Sequence, residues 1–242
     1  MSDILTIDGV ANAPVLRVLC ASAMRSALST CAQQFHADSG AGFEIHWCTS
    51  GAVEQRLGAG EVFDLTGGAR EALDNLSWRA LVQPPFVDVG VSKLALGVRT
   101  GEHAPDISSL DKLRDALLAA RKISRGDPAG GGTAGKHLVK LFRQMDILDE
   151  IKSKSILRAG GFAVMSEVAE GRADFGLTQS TEIPAVEGVT IGAFLPDAAQ
   201  MQTLYALCAA RADAPSLARD FVSYVGAPGQ RALFAAAGFA PA

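Results

Sequence analysis

Short apolar segments alternate with amphipathic stretches along most of this chain, and no other feature of the sequence constrains its fold as strongly. Residues 15–20 and 43–48 have the apolar or alternating pattern of strands. Between them, small or apolar residues recur at every fourth position from Ala23 to Phe35, which predicts a helix. Because strands that alternate with helices form mostly parallel sheets covered on both faces, the sequence predicts an α/β fold.

The same pattern continues to the carboxyl end of the chain. Further strands are predicted at residues 62–67, 122–125, 173–178 and 189–194. Further helices are predicted through Val53 and Leu57, over 110–117, over 138–145, through 217–225, and from Pro228 to Gly238.

Composition and charge exclude several classes of partner. The 242 residues are 48% hydrophobic and 20% charged, which suits one large folded domain or two small ones. The net charge of -4 gives no reason to expect a nucleic acid or an acidic membrane surface as partner. Apolar runs stay shorter than the ~20 residues that cross a bilayer, so we expect no membrane insertion.

Residues 1–14 contain acidic side chains, no Lys or Arg, and no apolar segment before a cleavage site. This pattern is not that of a secretory signal peptide. The sequence as it stands therefore predicts a cytoplasmic protein, or a periplasmic one if a leader has been removed.

Four cysteines, Cys20, Cys31, Cys48 and Cys208, have a spacing that matches no metal or redox motif. We expect them to be free thiols. The glycine-rich segment at 126–135 is not a Walker phosphate loop, since His137 follows Lys136, and no dinucleotide fingerprint follows the first strand. We therefore expect neither a cofactor nor a metal.

Polar turns follow four of the predicted strands. Ligands of open α/β sheets bind beyond the carboxyl ends of the strands, where hydroxyls and backbone N–H groups at helix starts can hold an anion. The ordinary alternative is that these Ser, Thr and Asp residues only cap helices. The four turns are residues 21–25, 49–51, 126–135 and 179–182.

The turns and their surroundings also carry a family resemblance. The segments ASAMRSAL (21–28), TSGAVEQRLGAGEVFDL (49–65), GDPAGGGTAGKHL (126–138) and GRADFGLTQSTEI (171–183) resemble the molybdate-binding proteins of ABC transporters. These belong to the class II periplasmic-binding-protein superfamily, and one branch includes aconitate isomerase. The similarity covers residues 15–240 and implies a periplasmic-binding-protein-like II fold of two lobes, 15–90 plus 201–242 and 91–200, with a ligand cleft between them.

The resemblance also implies which residues bind the ligand. The first-turn serine of the family corresponds to Ser22 or Ala23, and its second-turn serine to Ser50, beside Thr49. Backbone donors fall at Gly132–Thr133 and near Gly161, and the tyrosine hydroxyl of the molybdate site falls at Gln179, beside Ser180. These residues, with Arg25, are the predicted ligand-binding set.

The chain departs from the molybdate pattern at Arg25 and Gln179. Molybdate sites use neutral donors, whereas arginine is the planar, bidentate partner of a carboxylate. We therefore predict an organic carboxylate as the small anionic ligand. The alternative for Arg25 is a solvated helix arginine.

Three functions remain open from the sequence. The first is a solute-binding protein, with an ABC transporter permease as possible partner. The second is an isomerase that shifts a proton along an allylic tricarboxylate, as aconitate isomerase does. This needs a general base, and the nearest candidates are Glu182, His137, Cys20 and Cys48. The third is a molybdate or tungstate receptor.

Overall fold

The computed structural model describes residues 4–10, 13–130 and 132–242, and it confirms the predicted α/β fold. Its strands are β1 (Ile4–Ile7), β2 (Val15–Ala21), β3 (Gly42–Cys48), β4 (Leu65–Ala69), β5 (Gln83–Arg99), β6 (Ile123–Gly126), β7 (Ser155–Arg158), β8 (Phe175–Gln179), β9 (Val189–Phe194) and β10 (Gln202–Ala209). Its α-helices are α1 (Arg25–Ser39), α2 (Ser50–Gly58), α3 (Arg70–Trp78), α4 (Leu110–Ala119), α5 (Thr133–Gln144), α6 (Leu148–Lys154), α7 (Gly161–Ala169), α8 (Ser216–Gly226) and α9 (Arg231–Ala236).

The third predicted strand, at 62–67, was placed about three residues too early. Phe63 precedes the strand, and the guanidinium carbons of Arg17 and Arg56 lie 4.9 and 5.2 Å from its ring centroid. The strand instead includes Gly67, where a Cβ would come within 2.8 Å of the Cys20 sulfur. Glycine is thus required inside β4 by close packing and does not mark the end of the strand.

The chain divides into two compact units, one of Met1–Val91 and Thr203–Ala242 and the other of Ser92–Gln202. In the first unit the strand order is β1-β3-β2-β4-β10. β2 runs parallel to β3 and β4, while β1 and β10 pair antiparallel at the two sides. Val18 and Cys20 pack with α1, α8 and α9, and Leu19 packs with α2 and α3, so helices cover both faces of this sheet.

In the second unit β6 runs parallel to β7 and β8, and β5 pairs antiparallel with β8 and β9. Leu96 of β5 packs with α4, α5 and α6, whereas Ala95 packs with α7 on the opposite face. The helix predicted at 138–145 belongs to α5, which begins at Thr133 and buries Leu138, Leu141 and Phe142. Among the described residues, no helix has the length and apolar character needed to cross a membrane.

Candidate functional site

The first polar turn lies directly after β2. Ser22 begins a 3-10 turn, and its hydroxyl donates to the backbone oxygen of Cys48 at the end of β3, at 3.0 Å. Ala23, the alternative to Ser22, is buried in the same turn. The turn therefore joins the carboxyl ends of two neighbouring parallel strands.

Arg25, the first residue of α1, is only 8% exposed. Its guanidinium carbon lies 5.4 Å from the ring centroid of Trp47 on β3. The alternative of a solvated helix arginine is therefore wrong. The sequence reasoning missed Trp47. Its position beside this turn depends on the register of β2 with β3, in which Trp47 pairs with Cys20, and the sequence does not reveal that register.

The second turn contains a helix cap and a hydrogen bond between strand ends. Thr49 is an ordinary helix cap, since its hydroxyl accepts from the N–H of Ala52 at 3.1 Å. Ser50 is buried, and its hydroxyl accepts from the N–H of Ala69 at the end of β4, at 3.0 Å. Ser22 and Ser50 thus connect the ends of β2, β3 and β4, so the predicted residues of the first unit share one edge of its sheet.

In the second unit the glycine-rich segment connects β6 to α5. Asp127 accepts from the N–H of Ala129 at 2.9 Å, which shapes the turn that follows the strand. Gly132 is the N-cap of α5 and offers no side-chain acceptor, and Thr133 is the first helical residue. Gly131, in the middle of the predicted glycine run, lies outside the described residues.

Gln179 ends β8 and Ser180 begins the 3-10 turn that follows it, and both residues are almost completely buried. The Gln179 amide donates to the Thr133 hydroxyl at 3.3 Å, which brings two predicted ligand-binding residues together. Ser180 turns toward β5, where its hydroxyl accepts from the Lys93 N–H and lies 3.2 Å from the Ser92 hydroxyl. Ser180 therefore holds the strand end in place.

Gly161 opens α7, and its backbone N–H donates to a carboxylate oxygen of Glu182 at 3.0 Å. The other carboxylate oxygen accepts from the Thr178 hydroxyl at 2.6 Å. Glu182 is 8% exposed. The backbone donor that the resemblance assigned to the ligand is thus bound by a side chain of the protein itself, and Thr178 is a partner that the sequence reasoning did not name.

The other candidate bases serve the fold. A ring nitrogen of His137 lies 2.9 Å from the backbone oxygen of Ala199. Burial raises the pKa of the Cys20 thiol well above its usual value, so this thiol stays protonated near neutral pH. Cys20 packs with the α1 side of the sheet and Cys48 with the α2 and α3 side, on opposite faces.

All four cysteines are free thiols. Burial raises the pKa values of Cys31 and Cys208 to about 12. Within the described ranges, no group of three or more His, Cys, Asp or Glu side chains is arranged to hold a metal ion.

Comparison with known proteins identifies a family and a curated relative. Residues 16–240 match the family described as bacterial extracellular solute-binding protein. An aconitate isomerase from Pseudomonas sp is 31% identical over 179 residues, which is 73% of this chain and 67% of that protein.

Solved structures share the fold at low sequence identity. The periplasmic molybdate-binding protein of Azotobacter vinelandii has a TM-score of 0.77 and 19% identity, covering 94% of this chain and 99% of its own. A periplasmic thiamin binding protein has a TM-score of 0.72 and 16% identity, covering 98% of this chain and 86% of its own. At such identities these likenesses show the fold and leave the ligand open.

Proposed function

Because this chain belongs to the bacterial extracellular solute-binding protein family, we propose that it binds a small anion, and that this anion is an organic carboxylate. The fold alone does not choose a ligand, since the structures that share it are named for ligands as different as molybdate and thiamin. The choice must come from the side chains at the strand ends.

Arg25 is the observation that carries the proposal. Arg25 is 8% exposed and its guanidinium lies over the Trp47 ring, so a cation with little contact to water is held at this strand end, where it attracts an anion. Arginine is the side chain that pairs with a carboxylate through two parallel N–H···O bonds, so its presence in this turn favours a carboxylate over a metal oxyanion. Ser22 lies one turn away at the same strand end, and its hydroxyl would donate to the ligand by turning away from the Cys48 backbone oxygen.

The second unit contributes neutral groups to the proposed site. Thr133 begins α5, so its backbone N–H lies at the positive end of a helix, and its hydroxyl is held by Gln179. Such donors suit the remaining oxygens of a polar acid. That the ligand binds in a cleft between two lobes stays a prediction.

A ligand screen by thermal shift, followed by calorimetry, tests the proposal. Citrate, cis-aconitate and trans-aconitate are compared with molybdate, tungstate and sulfate. A ligand at 100 times its Kd should stabilise the folded protein by about 2.7 kcal/mol. We expect stabilisation by at least one of the three organic acids and weak binding of the metal oxyanions. Tight molybdate binding with no response to the acids would contradict the carboxylate proposal.

A second function, isomerisation, is favoured by the relative named aconitate isomerase. In this reaction a base removes a proton from one carbon of an allylic system, the double bond shifts, and a proton returns to the other end. Glu182 is the candidate base, although Gly161 and Thr178 already donate to both of its oxygens. NMR of either aconitate isomer incubated with the protein tests this function, and loss of interconversion in Glu182→Gln would support the assignment.

The family description as extracellular supports the periplasmic alternative for location, with delivery of the solute to an ABC transporter permease. Fractionation of cells that express the complete gene tests this part of the proposal. Recovery of the protein in the cytoplasm alone would contradict export and would favour the isomerase function.

A further inference from the structure

The start of α7 already binds an anion, and that anion belongs to the protein. The Glu182 carboxylate accepts from the Gly161 N–H at 3.0 Å and from the Thr178 hydroxyl at 2.6 Å. A Cβ at position 161 would overlap both the carboxylate and the hydroxyl, so glycine is required for the carboxylate to sit there. These contacts hold the carboxyl group of Glu182, a residue that is 8% exposed, at the positive end of a helix, which favours its ionised form.

This internal anion lies in the turn that directly follows Gln179, one of the donors of the proposed site. Thr178, which binds Glu182, directly precedes Gln179 on β8, and Gln179 donates to Thr133 at the start of α5. An anion that used the N–H of Gly161 would have to displace Glu182. An anion that used only Thr133 and Gln179 would bind at the strand end whose following turn carries the Glu182 carboxylate.

We propose that Glu182 determines the ligand specificity of the site by excluding dianionic oxyanions such as molybdate and sulfate. The inference rests on the proposed function, since it concerns which anions that site accepts. A compact tetrahedral dianion concentrates two charges beside a buried carboxylate, where like charges repel strongly. A longer organic acid can place its charged groups farther from Glu182 and present a hydroxyl or a chain carbon to it.

The variant Glu182→Gln tests this idea because it removes the charge and keeps the shape. The amide oxygen can accept from Gly161, and the amide nitrogen can donate to the Thr178 oxygen. We expect molybdate and sulfate, measured by calorimetry, to bind about tenfold or more tightly in this variant than in the parent.

Thr178→Val is the matched control. It removes one hydrogen bond to Glu182 but leaves the charge and the bond from Gly161 in place. It should therefore lower thermal stability without increasing affinity for either oxyanion. An equal gain in both variants would overturn the proposal, because looser packing and not charge would then explain it.

Citrate and the two aconitates, measured in parallel, separate this inference from the proposed function. Binding of an organic acid by the parent with no oxyanion gain in Glu182→Gln overturns the role of Glu182 alone. No binding of any anion by parent or variant overturns both proposals.

Should Glu182→Gln not fold, Glu182→Ala provides a second test by chemical rescue. Formate or acetate should raise the melting temperature of Glu182→Ala more than that of the parent, since the small carboxylate would bind the donors that Glu182 occupies in the parent. Equal responses of parent and variant would contradict the proposal.

Discussion

Arg25 and Glu182 are buried at strand ends in different units, and under the two proposals their charges would have opposite consequences for ligand choice. The cation attracts an anionic group, and the anion limits how much charge can lie near it. Both residues are in turns that the sequence marked as polar. What the sequence could not reveal was their partners, Trp47 and Thr178, because those contacts depend on strand register and on the exact start of a helix.

The first prediction concerns Arg25. Arg25→Ala should weaken carboxylate binding by about 2–3 kcal/mol, because a charge-assisted hydrogen bond is lost and the ligand's charge stays partly uncompensated. Arg25→Lys should recover only part of this loss, since an ammonium cannot form the two parallel bonds of a guanidinium. Calorimetry on the best organic acid from the screen measures both, and unchanged affinity in Arg25→Ala would remove this residue from the site.

The second prediction concerns Gly161. Gly161→Ala should destabilise the protein by about 1–3 kcal/mol, because the added methyl group overlaps the Glu182 carboxylate and the Thr178 hydroxyl. Gly229→Ala is the control, since no heavy atom lies within 4 Å of a Cβ placed there. Urea unfolding of the two variants provides the comparison, and equal midpoints would show that the start of α7 adapts without cost.

Secondary-structure elements were predictable from the sequence where their periodicity was simple. α5 has a clear apolar stripe and β9 was placed at its observed bounds, Val189–Phe194. β5 was missed because Pro84 and Pro85 near its start, and charged side chains along it, hide the strand pattern. β7 was missed because four residues directly after a lysine-containing helix give too short a pattern.

An ion-pair network connects α7 to its neighbours, and it predicts how the stability of the folded protein depends on pH. Glu167 of α7 accepts from Arg172, in the turn after the helix, at 2.5 Å and from Arg158 of β7 at 2.8 Å. Hydrogen bonds from Arg172, with those from Arg158, lower the pKa of the Glu167 carboxyl. The pKa of Glu167 is thus lower in the folded protein than in the unfolded chain. Its contribution to stability is complete at pH values above the unfolded-state pKa and is lost as the pH falls through the folded-state pKa.

Glu167→Gln should therefore cost about 1–2 kcal/mol at pH 7, where both arginines lose an ionised partner, and the cost should shrink below about pH 4. Glu170→Gln is the control, because Glu170 contacts the same Arg172 from an exposed position. Denaturant unfolding at several pH values measures the difference. A cost that stays constant from pH 7 to pH 3 would rule out the ion pairs as its source.

For the molecule as a whole, the fold and the positions of the four turns followed from the alternation of strands and helices, since strand ends and helix starts are where ligands of such sheets bind. The ligand did not follow from that pattern. It depends on whether residues such as Ser50 and Thr133, in different units, act on one solute.

Single and double variants test that joint action. Ser50→Ala and Thr133→Val should each weaken binding of the organic acid by about 1 kcal/mol, and their effects should add in the double variant. Ser153→Ala, which removes only an exposed bond to the backbone of Glu150, should leave the Kd unchanged. A loss confined to one of the two site variants would place the ligand on a single unit.

The path of the chain through the two units has a consequence for its synthesis. The second unit is one continuous segment, Ser92–Gln202, whereas the first needs β10, α8 and α9 from the far end of the chain. Tyr205, Phe221 and Phe234 complete the cluster that begins with Leu16 and Val18. On the ribosome, the second unit can therefore reach its native packing first. Until the last forty residues emerge, the nascent first unit carries an open β4 edge and an apolar face that a chaperone would recognise.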